Sequence, residues 1–189
     1  MIQVLGRFEY EQCANYLQLP VDDIYDQIQN YKIAILNYTS RRHVDINSGI
    51  RLGETHEKHI RAVALLSEAL LWLPVYEGEF VIRHSNLTPK VEAQLRTPGA
   101  IFTESGFTST SCDPNFELQT QCKYKLIIRH LDGRFIGDYS EYPHESEVLI
   151  PAGASFSVDM YIEEESTVYL TQLARKDIEN DIVAQGEVA

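Results

Sequence analysis

The chain has 189 residues, of which 44% are hydrophobic and 23% charged, and its formal net charge at pH 7 is −12. These values are typical of one globular domain, and the acidic excess would repel a polyanion, which argues against DNA or RNA as the main ligand. No apolar run reaches the ~18 residues that a membrane-spanning helix needs. The three cysteines are widely spaced and form no C-x-x-C pair, which argues against a disulfide framework or a cysteine zinc site.

The first part of the chain, residues 8 to about 73, is predicted to be helical. A short helix opens near Phe8 and ends before Pro20, and a second helix follows with apolar side chains at helical spacing. A strongly amphipathic helix then leads to Pro74. The stretch 41–52 between the second and third helices is polar and is predicted to be irregular.

From residue 77 onward the apolar pattern changes to that of strands. Six to seven strands are predicted, together with a short helix over 88–95. The strand-like segments are 79–84, 107–111, 124–129, 134–136, 148–150, 155–161 and 167–172. Helices followed by strands predict an α+β fold, and the glycine-rich motifs of Rossmann and P-loop proteins are missing from the sequence. We therefore divide the chain into an N-terminal helical part (1–75), a core (76–175) and an acidic tail (176–189), within one compact domain.

Two acidic residues, Glu145 and Glu147, stand at the start of the apolar strand 148–150. In an extended chain, side chains two residues apart point the same way, with Cα atoms roughly 6–7 Å apart. Two carboxylates on one face raise a pKa, which is unfavourable unless the pair is used. A pair of solvated acids is the plain interpretation of such a motif. The aromatic loop before the pair and the buried-looking strand after it favour a functional site instead.

Three features occur in order along the chain: Arg83 on the first predicted strand, the Ser-Thr-Ser segment 109–111, and the Glu-x-Glu pair 145–147. With Gly-Phe before the serine segment and Tyr-Pro before the acidic pair, this order resembles the arginine–serine–glutamate class of mono-ADP-ribosyltransferases, which includes bacterial and phage toxins and effectors. The resemblance covers roughly residues 76–172. It implies two packed mixed β-sheets that enclose an NAD cleft, with helices leading into them.

The resemblance also implies a role for each residue, with NAD as co-substrate and no metal. Glu147 would bind the 2′-hydroxyl of the nicotinamide ribose and stabilise an oxocarbenium-like charge, as in glycoside hydrolysis. Glu145 would accept a proton from an acceptor arginine, because a guanidinium is no nucleophile until it loses one. Ser109 would orient Glu147, and Thr110 would help to hold the strand at the cleft. Arg83 would bind the diphosphate or a ribose edge through its planar fork.

Three aromatic residues complete the predicted site. Phe116 is our candidate for the ring of a mobile loop that closes on the nicotinamide, and packing in the core is an equal alternative. Tyr139 and Tyr142 belong to the loop that contacts the protein substrate in this class, with simple packing as the alternative. One departure concerns the adenosine side: many relatives carry glycine after the strand arginine, whereas this chain has His84.

We interpret the chain as an NAD-dependent arginine ADP-ribosyltransferase, a toxin or effector that also hydrolyses NAD. Because the N-terminus lacks the pattern of a signal peptide, we expect a dedicated system to deliver it to the cytosol of a target cell. Its partners would be a protein substrate and, in some systems of this class, an immunity protein or a delivery apparatus, with no nucleic acid or membrane.

Three other interpretations of the function are considered. One is a threonine or glutamine acceptor on a protein such as actin or a small GTPase. Another is a catalytically weak binding module on the same fold, which the intact Arg83, Ser109 and Glu147 oppose. A glycoside hydrolase fails on geometry, because carboxylates at i and i+2 cannot easily flank a glycosidic bond from both sides.

Overall fold

The computed structural model describes residues 1–117 and 121–174. The predicted acidic tail, 176–189, lies outside the described residues. Helices come first and strands follow, with one short helix among the strands, so the α+β prediction is confirmed. None of the described helices has both the length and the apolar character that crossing a bilayer requires.

The helical part consists of short and medium helices that lead into the first strand. They are α1 (Ile2–Leu5), α2 (Arg7–Tyr16), α3 (Gln27–Asn37), a π-helical turn (Tyr38–Arg42), α4 (His43–Leu52) and α5 (Glu57–Trp72).

The prediction that 41–52 is irregular is wrong, because this stretch contains the end of the π-helical turn and the whole of α4. Only Ile46 and Asn47 of α4 are buried. The helix therefore needs little apolar sequence of its own, since its polar residues face solvent while two side chains fix it to the rest of the molecule.

Eight strands form a mixed sheet in the order β2-β7-β8-β4-β1-β3-β6-β5. The strands are β1 (Phe80–Ser85), β2 (Ile101–Glu104), β3 (Thr108–Ser111), β4 (Tyr124–Arg129), β5 (Arg134–Phe135), β6 (Glu147–Ile150), β7 (Ala154–Ile162) and β8 (Thr167–Gln172), and the short helix α6 (Pro89–Leu95) lies between β1 and β2. The pairing of β4 with β8 is parallel, and the other pairs of described strands are antiparallel. The sequence pattern missed β2.

The sheet is nearly split between β1 and β3, which are joined at the single residue pair Ile82–Ser111. By contrast, β1 pairs with β4 along its whole length. The five-stranded half β2-β7-β8-β4-β1 and the three-stranded half β3-β6-β5 therefore diverge within one sheet, whereas the resemblance implies two mixed sheets, and the three-stranded half is antiparallel throughout. Because β1 and β3 separate, their facing groups are open to side chains and ligands.

Two hydrophobic cores share strand β6. One lies within the strands and includes Val81, Leu126, Ile128, Val148, Ile150, Phe156, Val158 and Leu170. The other joins α3, α4 and α5 to the three-stranded half through Ile35, Tyr38, Leu66, Leu70, Phe107, Ile136 and Leu149. Burying one such side chain contributes roughly 1.5–3 kcal/mol. The helical part is thereby packed against the strands that carry the predicted serine and glutamate residues.

Candidate active site

A cleft of about 280 Å³ opens where β1 and β3 diverge. It brings together seven of the eight side chains that the sequence predicts for the site, although they come from β1, β3, β6 and two loops. The seven are Arg83, Ser109, Thr110, Phe116, Tyr142, Glu145 and Glu147. Tyr139 is not among the described residues that line the cleft.

Glu147 is the first residue of β6 and is buried, with 5% of its surface exposed. The Ser109 hydroxyl on neighbouring β3 donates a hydrogen bond to its carboxylate. The pKa of Glu147 is raised to about 7, mainly by burial and also by the charge of Glu145, while the Ser109 hydrogen bond and the Arg83 charge oppose the rise. At neutral pH both protonation states of this carboxyl group are therefore populated.

Glu145 does not continue the strand, so the prediction of an extended Glu-x-Glu segment is wrong. It ends a 3₁₀ turn (Pro143–Glu145), and Ser146 adopts a left-handed conformation with φ 47° and ψ 47°. Hydrogen bonds fix this reversal: the Ser111 hydroxyl donates to the Glu145 carbonyl at 2.7 Å, and the Cys112 amide donates to the Ser146 carbonyl at 3.0 Å. Glu145 is consequently half-buried while Glu147 is buried, and both still line the cleft.

Arg83 lies in the gap between the two halves of the sheet. Its Nη1 donates to the carbonyl oxygen of Ser109 at 2.8 Å, a backbone group that full pairing of β1 with β3 would have used. Burial lowers the pKa of Arg83, and the negative charge of Glu104 is the largest effect opposing that shift. A guanidinium nevertheless stays protonated in proteins, so Arg83 supplies a positive charge to the gap.

Arg83 also lines a second cavity of about 460 Å³. Along β1, Ile82 and His84 line the first cleft and Ser85 lines the second cavity, as the alternation of a strand requires. Arg83 borders both spaces. The two cavities therefore meet at this one guanidinium.

The second cavity has apolar walls and a charged mouth. The walls come from α6, its preceding loop and the five-stranded half, through Leu87, Val91, Leu95, Phe102, Leu126, Ile128, Phe156 and Leu170. At the mouth, Arg51 Nε donates to Glu104 Oε1 at 3.0 Å. The buried hydroxyl of Thr108, which also lines the cavity, has no hydrogen-bond partner in the described structure. Such a group is available to a ligand.

Three residues of the helical part that sequence reasoning missed, Tyr38, Asn47 and Arg51, belong to this region. The Asn47 side chain accepts from the Phe107 amide at 2.8 Å and donates to the Phe107 carbonyl at 3.2 Å and to the Tyr38 hydroxyl at 3.1 Å. Phe107 directly precedes β3, so Asn47 fixes the entry to the serine-bearing strand. No local signal identifies these residues, because their partners are distant in sequence.

Two further contacts hold the edges of the cleft. The Thr110 hydroxyl donates to the Val148 carbonyl at 2.5 Å and so ties β3 to β6. His84 Nε2 and the Phe116 carbonyl oxygen are 3.0 Å apart. Since a carbonyl can only accept, His84 is the donor, and it ties the loop after β3 to β1.

The two predicted recognition tyrosines have different surroundings. The Tyr139 ring packs against Trp72 at 6.0 Å between centroids, and the Lys32 ammonium lies 5.5 Å from the ring centre. Tyr142 is partly exposed and lines the cleft. Tyr139 thus connects its loop to the helical part, and Tyr142 is the one that borders the site.

Within 1–117 and 121–174, no group of three or more histidine, cysteine or acidic side chains is placed to hold a metal ion.

Comparison with known proteins gives one family match and two curated relatives. A family model described as ADP-ribosyltransferase exoenzyme matches residues 9–183. Mav from Mycobacterium avium, named as an NAD(+)–arginine ADP-ribosyltransferase, is 37% identical over 127 residues, which are 66% of this chain and 15% of Mav. Tre1 from Serratia proteamaculans, an NAD(+)–protein-arginine ADP-ribosyltransferase, is 30% identical over 105 residues, which are 56% of this chain and 22% of Tre1. The chain thus spans less than a quarter of either relative's length.

Solved structures show the same fold at low sequence identity. Exoenzyme S from Pseudomonas aeruginosa superposes with a TM-score of 0.70 at 16% identity, over 90% of this chain and 84% of that one. The C3 exoenzyme of Clostridium limosum has a TM-score of 0.67 at 16% identity, over 89% of this chain and 93% of that one.

Proposed function

This chain belongs to the ADP-ribosyltransferase exoenzyme family, and from that premise we propose that it transfers ADP-ribose from NAD to an arginine of a protein substrate, releasing nicotinamide. The observation that carries the proposal is the buried Glu147, hydrogen-bonded by Ser109 in a cleft that Arg83 and Glu145 also line. The names of both curated relatives support arginine as the acceptor.

The two cavities suit a ligand with two halves joined by a diphosphate. NAD has this form, and the solved exoenzyme S is bound to Carba-NAD. Arg83 stands where the cavities meet, and a planar guanidinium fork matches phosphate oxygens. Arg51 places a second guanidinium at the mouth of the larger cavity, where it is paired with Glu104. The apolar walls there suit a base, and the unpartnered Thr108 hydroxyl suits a polar atom of the ligand.

In this proposal Glu147 stabilises the reacting centre. NAD supplies an ADP-ribosyl group whose bond to nicotinamide breaks with positive charge developing on the ribose, as in glycoside cleavage. A preorganised carboxylate at that position lowers the barrier, and Ser109 keeps it in place. The ionised form is required, and the positive charges of Arg83 and of a bound nicotinamide ring both favour it.

In this proposal Glu145 is the base that accepts a proton from the acceptor arginine. It is half-buried at the same cleft, whereas Glu147 is buried, so an incoming side chain can reach it. An arginine acceptor needs a base because its guanidinium is protonated at neutral pH. A carboxylate at the entrance also attracts that cation. Tyr142, on the same loop and partly exposed, would contact the segment that carries the arginine.

We extend the proposal to the setting of the reaction. The matching family is one of exoenzymes, and the solved neighbours include type III effectors. This supports a toxin or effector that acts on a protein of another cell. An immunity protein or a delivery apparatus would be its partner before that step.

The proposal is tested by incubating the purified chain with labelled NAD and a cell lysate and locating the label on peptides by mass spectrometry. We expect nicotinamide release and label on arginine side chains, with neither in Glu147→Gln. Label on threonine or glutamine would overturn the proposed acceptor. If the wild-type chain does not cleave NAD, the proposed reaction is wrong.

A further inference from the structure

Thr39 makes a contact that joins the helical part to the loop of the acceptor carboxylate. It lies in the π-helical turn and is buried, with 6% of its surface exposed. Its hydroxyl donates to the Leu36 carbonyl at 3.0 Å and accepts from the Glu141 amide at 3.0 Å. Thr39 and Glu141 are 102 residues apart in sequence. One buried hydroxyl therefore connects two distant parts of the chain beside the cleft.

The π-helical turn puts this hydroxyl in place. Such a turn has more residues than an α-helical turn, so it changes the direction in which the following side chains point, and it is frequent at functional sites. Here the neighbours Tyr38 and Thr39 both line the cleft. Because a threonine in a helix commonly donates to a preceding carbonyl, its oxygen keeps a lone pair for a donor from elsewhere.

The loop that Thr39 contacts lies between two 3₁₀ turns, 137–139 and 143–145. Within it, the Tyr142 amide donates to the Ser140 hydroxyl at 3.0 Å and the Glu145 amide donates to the Tyr142 carbonyl at 3.0 Å. The Glu141 amide instead donates out of the loop, to Thr39. The hydrogen bond to Thr39, together with the packing of Tyr139 against Trp72, therefore holds this internally bonded loop against the helices.

Glu147 is held by different contacts. Its strand pairs with β3, and its carboxylate accepts from Ser109. None of these contacts passes through Thr39. Loss of the Thr39 hydroxyl would consequently shift Tyr142 and Glu145 more than it shifts Glu147.

We propose that Thr39 is a positioning residue for the acceptor half of the reaction, which fixes the Glu141 backbone and thereby places Glu145 and Tyr142 beside Glu147. This inference rests on the proposed ADP-ribosyl transfer to arginine. A displacement of about 1 Å lowers a reaction rate by up to about 100-fold, so the acceptor step is sensitive to the contact. Cleavage of NAD by water, which needs Glu147, is less sensitive.

The test compares Thr39→Val, which keeps the shape and removes the hydroxyl, with Thr39→Ser, which keeps the hydroxyl. For each variant we would measure nicotinamide release without an acceptor, labelling of an arginine-containing peptide, and the thermal unfolding midpoint. We expect the ratio of arginine labelling to NAD hydrolysis to fall at least about tenfold in Thr39→Val and to return to within about threefold of wild type in Thr39→Ser.

Thr171→Val is the matched control, because the Thr171 hydroxyl donates to Asp159 at 2.7 Å on strands that do not line the first cleft. Its ratio of labelling to hydrolysis should equal that of wild type. An unchanged ratio in Thr39→Val, or a parallel fall of both activities with the unfolding midpoint, would overturn the inference. Failure of the proposed function looks different, because the wild-type chain would then release no nicotinamide.

Discussion

Ser109 and Glu147 lie on neighbouring antiparallel strands, and the Ser109 hydroxyl donates a hydrogen bond to the Glu147 carboxylate. The pKa of Glu147 is raised to about 7, mainly by burial, and this hydrogen bond is the largest of the effects that oppose the rise. The pair therefore sets both the orientation of the carboxylate and the pH range in which it is ionised.

Ser109→Ala should move the pH dependence of NAD hydrolysis to higher pH. Without the donor, the pKa of Glu147 rises further, so the ionised form becomes dominant only at a more alkaline pH. The measurement is the rate of nicotinamide release between pH 5.5 and pH 9.5, with an expected loss of about tenfold at pH 7 that narrows towards pH 9.5. Ser157→Ala on β7 is the control. If the rate of nicotinamide release in Ser109→Ala rises over the same pH range as in wild type, Ser109 does not act through Glu147.

Glu147→Gln should stabilise the fold in an alkaline range. The pKa of Glu147 in the folded protein, about 7, lies above the ordinary value of 4.5. The folded state therefore binds this proton more tightly than the unfolded state, and ionisation of the buried group destabilises the wild type as pH rises from 4.5 to beyond 7. Glutamine does not ionise, so Glu147→Gln lacks this destabilisation at alkaline pH.

Urea unfolding at pH 5 and pH 8.5 measures this effect. The free energy of unfolding of Glu147→Gln should exceed that of wild type by up to about 3 kcal/mol at pH 8.5, and the difference should shrink towards pH 5. Glu79→Gln, at an exposed glutamate, serves as the control. The same pH dependence in wild type and Glu147→Gln would contradict the raised pKa.

Arg83→Lys should weaken NAD binding by about tenfold or more. Lysine keeps a positive charge but loses the planar fork that can bind two oxygens at once. Isothermal calorimetry with NAD gives the dissociation constant. Arg129→Lys is the control, since Arg129 is exposed on β4 and pairs with Glu79 at 3.1 Å. Equal NAD affinities of Arg83→Lys and wild type would show that the Arg83 fork does not contribute to NAD binding.

Asn47→Leu should destabilise the protein by about 2–4 kcal/mol. The substitution leaves the amide and carbonyl of buried Phe107 without their Asn47 partners, and each unpaired buried group costs about 1–3 kcal/mol. The shift in the chemical unfolding midpoint measures the loss. Asn15→Ala, at an exposed position on α2, should change little. A midpoint equal to that of wild type would show that Asn47 does not hold the entry to β3.

The parts of the fold and site that the sequence predicts are those with a local signal. Alternating apolar residues mark most strands, and the order of Arg83, 109–111 and 145–147 predicts the candidate site through its family resemblance, although these residues lie on three strands and a loop. The short strand β2 is not predicted, because its four residues, Ile101–Glu104, are too few to show an alternating apolar pattern.

What the sequence does not predict depends on contacts between distant residues. Helix α4 is stabilised through Asn47, whose partner Phe107 is 60 residues away, so its polar sequence resembles a loop. The left-handed Ser146 is held by hydrogen bonds from Ser111 and Cys112 to this segment, and without them Glu145 and Glu147 would be assigned to one extended strand. Such information is tertiary and is missing from local patterns.

The proposed division of labour between the two carboxylates is tested most directly by measuring nicotinamide release and labelled-arginine formation side by side in Glu145→Gln and Glu147→Gln. We expect Glu147→Gln to lose both activities by about 100-fold or more, because in the proposed mechanism both need the charge that faces the ribose. We expect Glu145→Gln to lose arginine labelling while keeping much of the NAD hydrolysis, because water needs less help than a guanidinium. Equal loss of both activities in Glu145→Gln, or near-normal NAD cleavage in Glu147→Gln, would contradict the proposed roles.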